Sequence, residues 1–369
     1  MIIPYLNLKQ LNLNDSDELK SAFDDVLNSG WFILGKKLEE FENQYANYNK
    51  TKYCVGLANG LDALILALKA LNIGDGDEVI VPSNTYIASW LAVSCVGAVP
   101  IPVEPNWLTC NIDSELIEVK ISSKTKAIMP VNLYGQAAEL HKISAVAKKH
   151  NLFVLEDNAQ AQGAICEGKL TGTWGDINAT SFYPAKNLGA LGDAGAITTN
   201  DVNLFDKVKV LRNYGSEKKY YNEIKGVNSR LDELQAAFLT IKLKSLNQNN
   251  IERQKIAKFY DNGLQGVGDI LIPVNAVNCN SVYHIYQIRT SQRNQLQEFL
   301  NLKGIGNIIH YPVPSHLQKA YNDLGYGIGA FPIAEKIAST TLSIPLYPGL
   351  TQDESAYIVD TIKLFFNGR

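Results

Sequence analysis

Lys186 stands in Ser181-Phe182-Tyr183-Pro184-Ala185-Lys186-Asn187-Leu188-Gly189, a stretch that runs on to Gly192-Asp193-Ala194-Gly195. A short apolar segment leads into a turn of small residues, and glycine lets such a turn wrap closely around a bound group. A lysine amine held away from water gives up its proton more readily and becomes a nucleophile toward carbonyl carbon. On its own, a lysine in a glycine-rich loop is ordinarily a surface residue. Asp157 precedes it by one strand and loop, in Glu156-Asp157-Asn158-Ala159-Gln160, and by itself could be no more than a turn former or helix cap. Together the two fit pyridoxal 5′-phosphate (PLP). That cofactor needs a lysine for its aldehyde and a carboxylate to keep the pyridine nitrogen protonated.

PLP also needs a phosphate cup of backbone N–H groups. Asn59-Gly60-Leu61-Asp62-Ala63-Leu64 is a tight turn opening directly into a helix, an anion site by construction or else plain strand–helix punctuation. Tyr86, in the loop Ser83-Asn84-Thr85-Tyr86, is placed either to stack on the pyridine ring or to pack in the core.

The elements that must position these residues alternate in kind. Helices are expected over 15–29, with Leu19, Phe23, Val26 and Leu27 on one stripe, and over 36–48; Trp31–Leu34 forms an apolar turn between them. Strands at 53–57, 78–81, 99–103, 126–131 and 152–155 then alternate with helices at 61–71, 87–95, 114–122 and 138–150. Strands apolar on both faces, separated by helices, predict a largely parallel sheet covered on both sides. Ligands of such sheets sit beyond the carboxyl ends of the strands, where Gly60, Tyr86 and Asp157 fall. A helix over 231–243 closes this large domain near residue 245. Residues 246–369, with a strand at 283–289 and helices at 291–303 and 353–366, form a smaller α+β domain.

Composition excludes several classes. The net charge of -3, without a long basic run, argues against a nucleic-acid or anionic-membrane partner. No apolar run is long enough to span a membrane, and Met1–Leu6 lacks the layout of a secretory leader. The five cysteines are scattered without a C-x-x-C pair, so neither structural zinc nor a disulfide framework is expected, and a reduced cytoplasm fits. No histidine spacing suggests a metal. A dinucleotide-dependent oxidoreductase would need G-x-G-x-x-G after the first strand; Gly325-Tyr326-Gly327-Ile328-Gly329 lies in the wrong domain. A non-catalytic relative of a PLP enzyme would have lost Lys186 or Asp157.

Four ordered stretches, Asn59–Leu64, Val81–Ser89, Glu156–Ala161 and Ser181–Gly189, with the later Asn228-Ser229-Arg230-Leu231-Asp232, resemble the DegT/DnrJ-type nucleotide-sugar aminotransferases over nearly the whole chain. That resemblance implies an α/β fold of the fold type I PLP aminotransferase class, a mostly parallel central sheet covered by helices plus a smaller α+β C-terminal domain. It implies that Lys186 carries PLP as a Schiff base, that Asp157 pairs with the pyridine nitrogen and that Gln160 bonds the phenolic oxygen. Gly60, Leu61 and Ser181 would hold the phosphate, and Tyr86 would stack on the ring. Asn228 matches a residue reaching the phosphate from the neighbouring subunit, which implies a homodimer with shared active sites. Some relatives carry histidine in place of the lysine and dehydrate their substrate; Lys186 favours transamination, with L-glutamate the family's usual donor.

The segment His310-Tyr311-Pro312-Val313-Pro314-Ser315-His316-Leu317-Gln318-Lys319-Ala320-Tyr321 resembles the subgroup that aminates carbon 3, the dTDP-3-keto-6-deoxyhexose enzymes of the Fdt/Qdt kind. The expected product is a dTDP-3-amino-3,6-dideoxyhexose for surface glycans such as lipopolysaccharide O-antigen. Amination at carbon 4, or of a UDP-3-keto-uronate, is the alternative. Tyr183, Lys219, His310 and Tyr311 are the candidates for holding sugar and diphosphate, although the Lys219 loop is equally readable as solvated surface and His310 as a structural histidine.

Overall fold

The computed structural model describes residues 1–368. Seven strands form the central sheet: β1 (Tyr53–Leu57), β2 (Glu78–Pro82), β3 (Val99–Val103), β4 (Thr125–Ile128), β5 (Phe153–Asp157), β6 (Ile177–Ser181) and β7 (Gly195–Thr199). Their order across the sheet is β1-β7-β6-β5-β4-β2-β3. Neighbours are parallel from β6 to β3, whereas β7 runs antiparallel to both β1 and β6. Gly195, the last residue of the glycine-rich stretch, opens β7, a strand that the sequence pattern did not predict. Gly-Ala-Ile-Thr-Thr carries too little apolar pattern to declare itself a strand.

Helices cover both faces, as strands buried on both sides require. Helix Gly60–Ala70 is apolar nearly all round and lies buried under one face, where Leu64, Leu66 and Leu68 pack with Val79, Val81 and Leu155. Asn59 caps it, its side chain accepting the Asp62 N–H at 2.8 Å. On the other face, helix Leu140–His150 packs Ile143 and Ala147 against Ile80, Ile128 and Val154. The single helix expected over 114–122 is instead two 3₁₀ turns, Ser114–Leu116 and Glu118–Lys120. Only one residue between them, Ile117, is an apolar anchor that the core fully buries, too few for a helical stripe.

Helix Ser16–Ser29 buries Leu19, Ala22 and Val26, but Phe23 and Leu27 are exposed, which corrects the expected stripe. Helix Glu233–Leu243 fills that contact with Ala237 and Phe238. The apolar turn beyond is also outside the core, with Trp31, Phe32 and Ile33 exposed.

A second core gathers the C-terminal elements with Ile3 from the N-terminus. Helices Leu246–Leu264, Arg293–Leu302 and Gln352–Asn367 surround an antiparallel pair, Tyr286–Arg289 with Thr341–Ile344. Helix Leu246–Leu264, helix Pro332–Thr340 and the strand Thr341–Ile344 were not distinguished in the sequence pattern. No helix among the described residues is long and apolar enough to cross a membrane.

Candidate active site

Strand β6 delivers the lysine turn. Its last residue is Ser181, and Phe182 plugs the core beyond it, edge-on to Phe41 at 5.4 Å and to Tyr45 at 5.1 Å between ring centroids. The chain folds back on that anchor: the Lys186 N–H donates to the Tyr183 carbonyl and the Ala190 N–H to the Phe182 carbonyl, each at 2.8 Å. A Cβ on Gly189 would stand 2.4 Å from the Pro184 carbonyl oxygen, so only glycine closes the turn.

Strand β5, beside β6, ends in the buried Asp157. Burial pushes its carboxyl pKa up, opposed by the Ala159 N–H, the Ser89 hydroxyl and the Lys186 charge. Ser89 donates to Asp157 Oδ2 at 2.9 Å and shares a 3.1 Å hydrogen bond with Thr85. Opposite, burial lowers the Lys186 amine to about 8 despite the pull of Asp157. No described residue accepts a hydrogen bond from this amine.

The helix start at Gly60 lies against the same end of β6. A Cβ on Gly60 would stand 2.5 Å from Ser181 Cβ, so the close approach of helix to strand needs glycine here. Asn59 takes the Asp62 N–H, while the Gly60 and Leu61 N–H groups meet no acceptor among the described residues. Two free amides at a helix start, with the Ser181 hydroxyl beside them, offer the donors that an anion cup needs.

The C-terminal elements close the other side. Gln160 accepts the Tyr134 N–H at 2.7 Å and donates to the Tyr311 hydroxyl at 2.9 Å. Gln160 thus already spends one amide N–H on Tyr311, leaving the other for a cofactor oxygen. Tyr86 is 54% exposed, which rules out the core-packing alternative, and its ring lies 5.2 Å from that of Tyr311. His310 is half-buried, bonded through Nδ1 to Ser343 Oγ at 2.9 Å, while its carbonyl accepts the Tyr134 hydroxyl. Desolvation, helped by the Lys186 charge, drops the His310 pKa to about 4, so its imidazole is neutral.

Lys186, Asp157, Gln160, Gly60, Leu61, Ser181, Tyr86, His310 and Tyr311 therefore converge. Tyr183 is exposed on the lip of the lysine turn. Among the described residues, Lys219 and Asn228 make no side-chain hydrogen bond to any of these. Lys219 lies in the exposed hairpin Ser216–Asn222 with its ammonium 5.1 Å from the Tyr220 ring, and Asn228 is exposed at the foot of that excursion, bridged to Asn213.

Three participants were given no role by the sequence, although Tyr134 lies in the strand-end stretch Asn132–Gly135, which the sequence marks as a place for ligands. Ser89 lay inside a noted motif without a role. Tyr134 supports both Gln160 and His310. His284 approaches Asn187 Oδ1 at 3.3 Å, and burial with the Lys186 charge holds its pKa well below the usual value. Asn187 also donates to Asn250 and to the Val282 carbonyl, tying the residue after Lys186 to the C-terminal elements. No group of three or more metal-ligating side chains occurs among the described residues.

A desolvated lysine facing a buried carboxylate, beside an anion cup at a helix start, defines a fold type I PLP-enzyme site, and the free amides, the Gly60 cradle and the Lys186–Asp157 pair fit that cofactor. The chain belongs to the DegT/DnrJ/EryC1/StrS aminotransferase family, whose model matches residues 14–363. It is 50% identical over 366 residues, 99% of each chain, to the dTDP-3-amino-3,6-dideoxy-alpha-D-galactopyranose transaminase of Aneurinibacillus thermoaerophilus. Its fold is similar to that of DesV from Streptomyces venezuelae, solved with a ketimine intermediate, at a TM-score of 0.97 and 44% identity, covering 99% of this chain and 98% of that one. NtdA of Bacillus subtilis, solved with bound PMP, matches with a TM-score of 0.93 at 33% identity, over 99% of this chain and 85% of that one.

Proposed function

We propose that this aminotransferase moves the amino group of L-glutamate, through PLP, to carbon 3 of a dTDP-linked 3-keto-6-deoxyhexose. The observation that carries the reading is Lys186, in the turn after β6, beside Asp157 at the end of the adjacent strand β5; burial lowers its amine to about 8 against the opposing pull of Asp157. An amine neutral near working pH can both attack a carbonyl and carry a proton. When bound, PLP supplies that carbonyl and an electron-withdrawing pyridinium ring. Asp157, held by Ser89 and the Ala159 N–H, keeps the ring nitrogen protonated. The Gly60 and Leu61 amides and the Ser181 hydroxyl hold the phosphate, Gln160 bonds the phenolic oxygen and Tyr86 covers the ring. Lys186 then moves a proton to or from the carbon that bears the amine, in one direction for glutamate and the reverse for the sugar. His310, Tyr311 and Tyr183 hold the sugar, and Lys219 holds the diphosphate.

Carbon 3 is chosen on the His310–Tyr311 segment and on the 50% identity with a relative named for a 3-amino sugar. The product feeds surface-glycan assembly such as O-antigen, in the cytoplasm. The active form is a homodimer with shared sites, Asn228 reaching the phosphate of the other subunit. The chain divides into a PLP-binding domain, 1–245, and a smaller domain, 246–369. Glutamate offered with dTDP-3-keto, dTDP-4-keto and UDP-3-keto-uronate sugars, with the product identified by NMR, tests the substrate. Amination only at carbon 4, or only of the uronate, overturns the sugar; a protein that stays colourless with PLP overturns the cofactor.

A further inference from the structure

Cys166 and Cys279 lie 113 residues apart in sequence and face each other in space, with their sulfurs 2.9 Å apart and both thiols free. Cys166 ends the short strand Ile165–Cys166 and Cys279 opens Cys279–Asn280; the strands are antiparallel and the cysteines directly opposed. Opposed residues in such a pair hold their Cα atoms about 4.5–5.5 Å apart, inside the roughly 4.4–6.8 Å that disulfides span. A bond between them needs no movement of the backbone. None of Cys54, Cys95 and Cys110 has a cysteine so placed.

The surroundings make the two thiols unequal. Contact with Cys279, then the His141 side chain and the Leu140 N–H at a helix start, pulls the Cys166 thiol down; contact with Cys166, with burial, pushes Cys279 up. The Nδ1 of His141 is buried and has no hydrogen-bond partner. Cys166 is fully buried, but Cys279 sits in the edge strand, 6% exposed and two residues from the outlying Val277.

We propose that Cys166 and Cys279 are a modification site, closing to a reversible disulfide with a hydroperoxide as the oxidant. The Cys166 thiolate attacks a peroxide oxygen, the O–O bond breaks, and the sulfur becomes a sulfenic acid as hydroxide leaves. The Cys279 sulfur then displaces the sulfenic hydroxyl, which takes the Cys279 proton and departs as water, while the hydroxide of the first step takes up the proton that Cys166 released to solvent. Two thiols lose two electrons and two protons, and hydrogen peroxide becomes two waters. A dithiol reductant reverses the change by thiol–disulfide exchange and is itself oxidised.

The bond would staple the hairpin at 165–170 to the segment that grips the lysine turn. Val282, whose carbonyl accepts from Asn187, and His284, which meets the same side chain, follow closely after Cys279. The staple closes a long loop, the geometry in which a cross-link constrains the unfolded chain most.

The test uses the PLP-loaded enzyme carrying Cys95→Ser, which removes the exposed thiol. Peroxide treatment, alkylation after unfolding and peptide mass spectrometry are expected to find Cys166 and Cys279 joined, two hydrogens lighter, and released by dithiothreitol. Tm rises by several degrees on oxidation, and Cys279→Ser abolishes both the cross-link and the rise. The mass measurement on the unaltered pair stands even where a serine variant folds poorly. Cysteines that remain alkylatable, or that end as separate sulfinic acids, overturn the proposal.

Discussion

Burial and an opposite charge pull the Lys186 amine in opposite directions, and burial wins, leaving it at about 8. The neutral, attacking form then grows about tenfold per pH unit up to that value and levels off above it. Capture of PLP by cofactor-free protein, followed by the visible absorption of the complex, is expected to trace this curve; a rate flat from about pH 6 to 9 contradicts it. Stability carries the same sign. With the folded pKa below the ordinary lysine value, the unfolded chain binds more protons between the two, so the cofactor-free fold gains stability as pH rises through that window. Lys186→Met removes the gain. Asp157 is the complementary case. Asp157→Asn keeps the shape but removes the negative charge, and kcat is expected to fall about 10²–10³-fold with little change in Tm. Ser89→Ala, which only loosens one carboxylate oxygen, costs about tenfold; an equal loss in both would mean that the charge of Asp157 is not what matters. The places of Lys186, Asp157 and Gly60 at a turn, a strand end and a helix start were legible in the sequence, because these are local patterns. The roles of Ser89, Tyr134 and His284 were not, because each acquires its role from a partner distant in the chain.

Two elements meet their neighbours so closely that single atoms decide the fit. Helix Gly60–Ala70 could be read in advance from its cap and its apolar run, yet nothing local reveals that Gly60 touches Ser181. Gly60→Ala forces Cβ against that serine and is expected to weaken PLP binding at least tenfold, by equilibrium absorbance titration, while a helix-compatible alanine leaves the fold intact. Glu233 shows the same long-range dependence. This buried carboxylate accepts the N–H groups of Gly35, Lys37 and Leu38 at 2.8, 2.9 and 3.1 Å, satisfying the free amides that open helix Lys36–Asn49. Glu233→Ala leaves those donors buried and is expected to lower stability by about 2–4 kcal/mol, read by urea unfolding. A loss below about 0.5 kcal/mol would mean that water replaces the carboxylate. The sequence pattern places both helices but cannot pair them, since these residues are nearly 200 positions apart.

At the scale of the molecule, the proposed roles of Lys219 and Asn228 call for a second chain, and exposed apolar side chains lie on the surface that one would cover. Phe23, Leu27, Trp31 and Phe32 crowd one end, and Tyr214, Tyr220 and Tyr221 mark the hairpin that precedes Asn228. Apolar side chains in such number on one chain fit a covered face, and a two-fold partner would bring each Asn228 to the other subunit's phosphate cup. The proposed sharing of sites makes a distinctive prediction. Chains carrying Lys186→Ala and chains carrying Asn228→Asp are each expected to be inactive as pure dimers. Unfolded together and refolded in equal amounts, half of the dimers are mixed, and each mixed dimer has one site with both defects and one with neither. Activity should return to about a quarter of the unaltered enzyme. If Asn228 acts on its own chain's cofactor, every site in the mixture keeps one defect and nothing returns. Size-exclusion chromatography of Phe32→Asp completes the argument, since a chain that becomes monomeric should lose PLP along with activity.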